Sequence, residues 1–405
     1  MGQKLREYFV HDIFVDRRHY LFLLAQYVSV SNWYYVFSGY YIPVLSKTLA
    51  EGQMQWIRFI FDFSIGCSIL SICLLIKRIN PYHLILGSSV ASSIMIVLLT
   101  FVSGSIFTLP AISFLGAVCG VAVLANAIIF FDQTEITERG RAGGMLVSTS
   151  TLTGPLLFSL VPAISPQMIC FFLNIISASV ILLKPKGYEK RKNTDKTLKK
   201  PSGNFGYYFL SWTILCLNNG ILQRTVALYL AKTFPQYYNI DTLLQFAFVS
   251  FAAIISGILA DWFGRKIVLV SGFLIYGVAN TIVGFALTPV TQFIAYPSSG
   301  LSWGFFLAIF YLVIWGETDG TGNVILSYAL ALTVFHINNS LAYIVEPYIM
   351  GVPIVSVLFL SSLLVFIGLI PLFLARETVP EDLLKKIWFD SYKKWAKGFT
   401  KKNGE

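Results

Sequence analysis

Charged side chains are scarce in this 405-residue sequence: Asp, Glu, Lys and Arg make up 12% of the residues, and hydrophobic types 56%. An average soluble domain carries roughly 25% charged residues, so the chain has about half the charge that a water-exposed surface requires. This composition excludes a soluble globular enzyme and a disordered protein. Lys and Arg outnumber Asp and Glu, 30 to 20, and their positions decide what that excess means.

Sequence signals for nucleotide, metal or catalytic chemistry are also missing. The sequence has no phosphate-binding loop of the G-x-x-x-x-G-K-[ST] type, no H-E-x-x-H segment and no Ser/His/Asp arrangement. Its 4 histidines are scattered, and its 5 cysteines lie singly in apolar runs without metal-ligand spacing. We therefore predict no enzymatic activity, no cofactor and no metal site.

Long apolar segments are what the sequence does contain. Roughly 20 apolar residues cross a bilayer as a helix. Twelve segments satisfy that requirement: 21–46, 56–76, 82–102, 106–131, 144–163, 166–184, 206–232, 241–260, 266–287, 291–315, 323–349 and 352–375. The sequence thus predicts an all-α polytopic membrane protein with twelve transmembrane helices, embedded in a lipid bilayer.

A basic segment after the sixth span divides the chain into two halves. Shifting the sequence by 185 residues places Asp132 on Glu317 and Gly87 on Gly272, which favours two pseudo-symmetric six-helix bundles. The predicted units are a cytoplasmic tail at 1–20, a bundle at 21–184, a basic cytoplasmic linker at 185–205, a bundle at 206–375 and a basic amphipathic tail at 376–405.

The basic residues are distributed very unevenly between the two sides of these spans. With the N-terminus in the cytoplasm, 26 of the 30 Lys and Arg residues lie on the cytoplasmic side, whereas Lys47 and Lys232 lie outside. Such an excess is typical of a multi-pass protein and predicts both termini in the cytoplasm, here of a plasma-membrane protein. The membrane topology then explains the excess of positive charge, and we predict no nucleic-acid partner. The C-terminal tail is predicted to lie on the anionic inner leaflet or to form a free helix.

One short loop, between the eighth and ninth spans, carries a specific motif. It reads G-x-x-x-D-x-x-G-R-K from Gly257 to Lys266. Gly257 permits close helix approach, Asp261 ends one helix beside the N-terminus of the next, Gly264 allows a tight turn, and Arg265 can bind a carboxylate. The motif resembles the signature loop of the major facilitator superfamily, which are secondary transporters.

Two further turns resemble the sugar and organic-ion branches of that superfamily. They are Asp132-x6-Arg139-Gly140 and residues 376–378, Arg-Glu-Thr. The turn at 77–81 in the first half lacks the Asp and Gly of the motif, so the two halves differ here. The resemblance implies a conformational latch on the cytoplasmic side, made by Gly257, Asp261, Gly264, Arg265, Glu317, Asp132 and Arg139.

Ionisable residues inside the spans are candidates for a function, because inserting each of them into the membrane centre costs roughly 2.5–3.5 kcal/mol. His336, Asn339, Tyr343 and Glu346 share one face of the eleventh span. They are predicted to line a cavity with a protonatable group, and the alternative is hydrogen bonding between helices. In the second span, Asp62 is either a proton site or the partner of Arg58, four residues before it.

The seventh and first spans supply the other candidates. Asn219 lies within an Asn-Asn-Gly sequence at 218–220, and Gln223 follows it by three residues; the poor helix propensity of this sequence predicts a local break and a binding site. Three roles are open for Arg224: it binds an anion, it pairs with an acidic residue, or it extends its charged end to the membrane surface. Asn32 and Tyr35 in the first span are candidates for contacts with a sugar or an aromatic solute.

Together these features predict a secondary active transporter for a small polar solute, a sugar or an organic anion. We expect a monomer that couples transport to protons by alternating access between the two sides. The expected proton-coupling residues are Asp62, His336 and Glu346, and the expected substrate-binding residues are Asn219, Gln223, His336, Asn339, Asn32, Tyr35 and Arg224. The alternatives are proton-driven efflux of amphipathic compounds, favoured by aromatic content and the Gly-Pro at 154–155, a receptor without transport, and a membrane-embedded enzyme.

Overall fold

The structure is a computed structural model that describes residues 17–46, 53–76, 78–160, 164–182, 203–318 and 323–385. Most of the predicted N-terminal tail, of the basic linker and of the C-terminal tail lies outside the described residues. The predictions for those three segments therefore stay predictions.

The first half of the chain forms six helices. They are α1 (17–46), α2 (Gln53–Leu75), α3 (Pro81–Val102), α4 (Thr108–Gln133), α5 (Arg139–Leu160) and α6 (Pro166–Leu182). The second half forms α7 (203–233), α8 (Pro235–Phe263), α9 (Arg265–Phe285), α10 (Pro289–Gly316), α11 (Val324–Ile349) and α12 (Ile354–Leu374). The described residues contain no strand. Twelve helices in this order confirm the all-α prediction.

Proline fixes the start of several helices. Pro81, Pro166, Pro235 and Pro289 each occupy the first position of their helix, where the missing N–H costs no hydrogen bond. Because α8 starts at Pro235, it begins six residues before the predicted span at 241–260. Such polar first turns are invisible to a search for apolar runs.

Within the described residues, 8 helices are long and apolar enough to cross a membrane. The other four are α1, α5, α6 and α7. The α6 helix has only 17 residues, and α5 carries the polar stretch at 148–153.

The π-helical segments lie at Phe37–Tyr41 in α1, Asn218–Gln223 in α7 and Phe306–Val313 in α10. The first two occupy the first helix of each half, in agreement with the pseudo-symmetry of the fold. The segment in α7 is where the Asn-Asn-Gly sequence predicted a local break. The helix continues beyond it to Thr233, so the break is a π turn, a feature that is frequent at functional sites.

The two halves contact each other mainly through α5 against α8 and through α2 against α11. At the end of the bundle where α4 joins α5 and α8 joins α9, which we name the latch end, a Cβ at Gly144 would clash with the carbonyl of Ala253. A Cβ at Gly257 would likewise clash with the carbonyl of Gly140. Glycine therefore allows the backbones of α5 and α8 to touch.

The contact between the halves becomes polar nearer the centre. The hydroxyls of Ser148 in α5 and Ser250 in α8 lie 2.7 Å apart. Across α2 and α11, the hydroxyl of Thr333 donates to the carbonyl of Gly66 at 3.3 Å. The interior of the second half is packed with aromatic rings, such as Trp212 stacked on Phe335 with centroids 5.9 Å apart.

We predict that Gly144→Ala destabilises the protein by about 1–3 kcal/mol, because the added methyl group forces α5 and α8 apart. The matched control is Gly87→Ala in α3, where a Cβ meets nothing within 4 Å. The measurement is the thermal unfolding midpoint of each purified variant in detergent. Equal midpoints for the two variants would show that the close approach of α5 and α8 is not needed.

Candidate functional site

Two buried acids of the second half organise the latch end. The α8 helix ends at Phe263, Gly264 turns the chain with a φ of +97°, and α9 begins at Arg265. This turn brings Arg265 back onto Asp261, with 2.8 Å between Nη1 and Oδ1. Arg141 of the first half donates to Oδ2 of Asp261 from Nε at 3.0 Å, and the backbone N–H groups of Gly140 and Arg141 donate at 2.9 Å each.

Glu317, just beyond α10, is the second buried acid. Arg265 donates to its two carboxylate oxygens from Nε at 3.1 Å and from Nη2 at 3.2 Å. Arg139 of the first half adds a contact of 3.2 Å from Nη1, and the hydroxyl of Thr378 donates at 3.0 Å. Arginines of one half therefore bind acids of the other half, which holds the latch end closed.

Arg141 and Glu377 belong to this network of ion pairs and hydrogen bonds, although the sequence analysis did not select them. Glu377 accepts hydrogen bonds from the backbone N–H groups of Arg265 at 2.8 Å and Lys266 at 2.9 Å, at the N-terminus of α9, where a negative charge is favoured. Of the predicted latch residues, Asp132 lies in the last turn of α4 and is half-buried. The others meet here: Gly257, Asp261, Gly264, Arg265, Glu317 and Arg139.

Between the two halves, beyond the latch, lies a cavity of about 340 Å³. Its wall is formed by α1, α4 and α5 of the first half and by α7, α8, α10 and α11 of the second. Aromatic side chains form much of the wall: Tyr27, Tyr34, Tyr35, Trp303, Tyr311 and Phe335. Its polar groups include Ser31, Asn126, Ser150, Thr151, Asn219, Gln245, His336 and Asn339.

A second cavity of about 350 Å³ adjoins the first, because both are lined by Tyr34, Asn219, Gln245, Trp303 and Asn339. It extends away from the latch end, and its wall holds the charged groups of this region. The additional polar and charged lining residues are Asp62, Gln223, Arg224, Tyr276, Asn280, Tyr296, Ser299 and Tyr343.

Asp62 and His336 form a contact between the two halves. Nδ1 of His336 in α11 lies 3.5 Å from Oδ1 of Asp62 in α2, the long limit of a hydrogen bond, and the hydroxyl of Tyr34 donates to the same oxygen at 3.0 Å. Both side chains are nearly fully buried. Nε2 of His336 is buried and has no hydrogen-bond partner among the described residues. Two predicted proton sites are thus neighbours.

Arg224 and Glu346, two more predicted residues, also pair with each other. Nε of Arg224 donates to Oε2 of Glu346 at 2.6 Å, and its guanidinium lies 3.9 Å from the ring centre of Tyr343. Arg58 approaches the same ring to 5.7 Å. The structure therefore gives Asp62 and Arg58 other neighbours than the ion pair that their spacing of four residues suggested.

The remaining predicted residues separate into two groups. Asn219 and Asn339 line both cavities, and Tyr35 lines the first. Gln223 lines the second cavity, although its amide donates to Asn280 at 3.0 Å and Ser361 at 2.7 Å. Asn32 is buried away from the lining and donates to Thr153 at 2.7 Å.

Sequence reasoning missed several lining residues. Asn126 in α4 and Gln245 in α8 are polar residues within apolar spans, so the signal was present in the sequence. Within the described ranges, no group of three or more His, Cys, Asp and Glu residues could hold a metal ion.

No protein-family model and no curated protein sequence matches the chain. Solved structures do. The major facilitator superfamily transporter FucP in the outward conformation is similar with a TM-score of 0.72 and 13% identity, over 89% of this chain and 98% of that one. The human organic anion transporter MFSD10 (TETRAN) is similar with a TM-score of 0.67 and 13% identity, over 89% and 99%. A variant of the E. coli fucose:proton symporter FucP gives 0.66 and 13%, over 89% and 98%.

The chain therefore has the fold of the major facilitator transporters, with twelve helices in two bundles. This confirms the expectation that the loop between α8 and α9 raised. At 13% identity, the similarity concerns the fold alone.

We predict that Glu317→Gln lowers the stability of the protein by about 3 kcal/mol or more, because it removes the charge that compensates two buried arginines. The thermal unfolding midpoint in detergent is the measurement. Glu381→Gln is the control, since Glu381 is exposed and only pairs with Lys385 at 3.7 Å. Glu317 would not be part of a closing network if its variant matched the control.

Proposed function

We propose that this protein is a secondary active transporter that carries a small polar solute together with protons. The observation that carries the proposal is the contact of Asp62 with His336 across the two halves, at the wall of the central cavity. A carboxylate beside an imidazole is a common arrangement for holding and passing a proton.

Burial makes this contact sensitive to conformation. An uncompensated charge in a membrane interior is costly, so the protonation of Asp62 depends on whether His336 and Tyr34 remain beside it. Asp62 belongs to the first half and His336 to the second. Movement of the halves would separate the two groups, and we propose that this separation couples protonation to conformation, the linkage that a proton-coupled transporter requires.

The latch supplies the second element of the proposed cycle. With Arg139 and Arg141 bound to acids of the second half, solute can reach the cavity only from the end opposite the latch. Release at the latch end requires these ion pairs to separate while contacts form at the other end. We propose alternating access of this kind, by rocking of the bundles at 21–184 and 206–375.

The solute class is proposed from the wall of the cavity. Amide and hydroxyl groups, such as those of Asn219, Asn339 and Tyr35, suit a sugar or an organic anion. The names of two structural neighbours, a fucose:proton symporter and an organic anion transporter, support the same classes. We further propose a monomer in the plasma membrane with both termini in the cytoplasm, as the distribution of basic residues indicates.

Efflux of amphipathic compounds is a second candidate. The observation that favours it is the ring-lined wall, with Tyr27, Tyr34, Tyr311 and Phe335 around the first cavity. An exporter would lower the accumulation of an aromatic dye in cells, whereas a symporter would raise the accumulation of its solute.

We expect Asp62→Asn to abolish gradient-driven uptake, because the variant cannot release a proton at this position. His336→Gln is expected to reduce uptake roughly tenfold or more by removing the imidazole partner. The measurement is the uptake of labelled sugars and carboxylates into proteoliposomes, with and without an inward proton gradient.

The control for both substitutions is Glu381→Gln, which removes a carboxylate on the exposed surface. Exchange of solute without a gradient should survive in Asp62→Asn, since the binding groups remain. Uptake that is equally fast with and without the gradient in the unmodified protein would contradict proton coupling.

A further inference from the structure

Two guanidinium groups lie near Tyr343, a residue in the wall of the second cavity: Arg224 lines the cavity itself, and Arg58 approaches the same ring. Among the described residues of this region, the other charged groups are Asp62, which lines the cavity, and Glu346, which binds Arg224, with His336 as a titratable group beside Asp62. With His336 neutral, two positive and two negative charges balance. These charges are not all paired with each other. Of the two arginines, only Arg224 lies within ion-pair distance of a carboxylate among the described residues.

Arg224 retains most of its donors for a ligand. Its guanidinium carries five N–H groups; that of Nε donates to Glu346, and a further side-chain hydrogen bond joins Arg224 to Tyr343, which leaves the other donors for a ligand. The residue lines the cavity, with its guanidinium 3.9 Å from the centre of the Tyr343 ring. A fork of N–H donors held against a ring is preorganised for a carboxylate or a similar planar anion.

Arg58 is less well compensated. It lies over the same ring from the first half, and its Nε is buried without a hydrogen-bond partner in the described part of the chain. No carboxylate among those residues lies within 4.0 Å of it, and its own helix offers Asp62 one turn away, already bonded to Tyr34 and beside His336. A partly buried guanidinium in this state favours an added anion.

Protonation changes the charge of this region by one unit. When the Asp62–His336 pair takes up a proton, the net charge of the five groups rises from zero to +1. Coulomb attraction is strong where water is excluded, so the protonated cavity favours one negative charge. The tyrosines that line this cavity are Tyr34 from α1, Tyr276 from α9, Tyr296 from α10 and Tyr343 from α11, and Cys119 from α4 is a further titratable group near Asp62. Phenols and thiols are ordinarily neutral near pH 7.

From these observations we infer that the solute is a monovalent organic anion, held by Arg224 and Arg58 beside Tyr343 and transported with one proton. The inference rests on the proposed function and names its substrate class. The proton resides on the Asp62–His336 pair and the anion on the guanidinium groups, so each transport event moves no net charge. A neutral sugar carried with one proton would move one positive charge.

The test compares labelled benzoate and lactate with labelled glucose in proteoliposomes of the full chain. An inward proton gradient is applied, and the membrane potential is set separately with potassium and valinomycin. We expect gradient-driven uptake of at least one carboxylate, at a rate that an inside-negative potential leaves unchanged. Carboxylate uptake accelerated by that potential would overturn the one-proton, one-anion stoichiometry.

The remaining outcomes separate this inference from the function on which it rests. If glucose is taken up with protons and neither carboxylate is, the inference fails and the proposed transporter stands. If no solute responds to the proton gradient, the proposed function itself fails.

Substitutions locate the anion. Arg58→Gln leaves the Arg224–Glu346 pair in place and should raise the KM for the carboxylate roughly tenfold, the cost of one charge-assisted hydrogen bond. Arg224→Lys keeps the positive charge but loses the fork of donors, so it should also raise KM. The control is Lys232→Gln, which removes an exposed charge from the last turn of the same helix as Arg224.

Stability in detergent supplies a readout that does not depend on transport. Benzoate at pH 5.5 should raise the thermal unfolding midpoint of the unmodified protein and of Lys232→Gln, but not that of Arg58→Gln. An equal shift in all three proteins would place the anion elsewhere and overturn the assignment.

Discussion

The buried carboxylates of Asp261 and Glu317 impose the constraint on which the architecture depends. A charge removed from water must be compensated, and the second half alone supplies only Arg265 for both acids. Arg139 and Arg141 of the first half complete the compensation, so the halves are joined where the acids lie. The joining point decides which end of the cavity is closed.

Some buried charges are paired with a charge of the same half, and others are paired across the two halves. Arg224 and Glu346 both belong to the second half, on α7 and α11, so their ion pair can persist when the halves move. Asp62 and His336 belong to different halves, as do the arginines and acids of the latch. Among the described residues, the charged or titratable side chains that join the two halves thus lie at two sites, the latch end and the cavity wall.

The sequence predicted the helices better than the site. Apolar runs define the twelve helices, and the motif at Gly257–Lys266 falls at the turn where Asp261 and Arg265 pair, because both signals are local. The contact of Asp62 with His336 joins residues 274 positions apart, and spacing along one helix pointed instead to Arg58. Asn32 shows the same limit: its polarity was evident, but which face of α1 meets α5 depends on packing.

The two halves contribute different groups to the latch end. The turn after α2 lacks the motif, and Asn80 there caps α3 by accepting the N–H of Tyr82 at 3.0 Å. The first half contributes Arg139, Arg141 and the backbone N–H of Gly140 to the network, and the second half contributes Asp261 and Glu317. Glu377 extends the network beyond α12 by binding the N-terminus of α9. Because Arg265 binds both Asp261 and Glu317, these contacts form one connected network, in which hydrogen bonds strengthen one another.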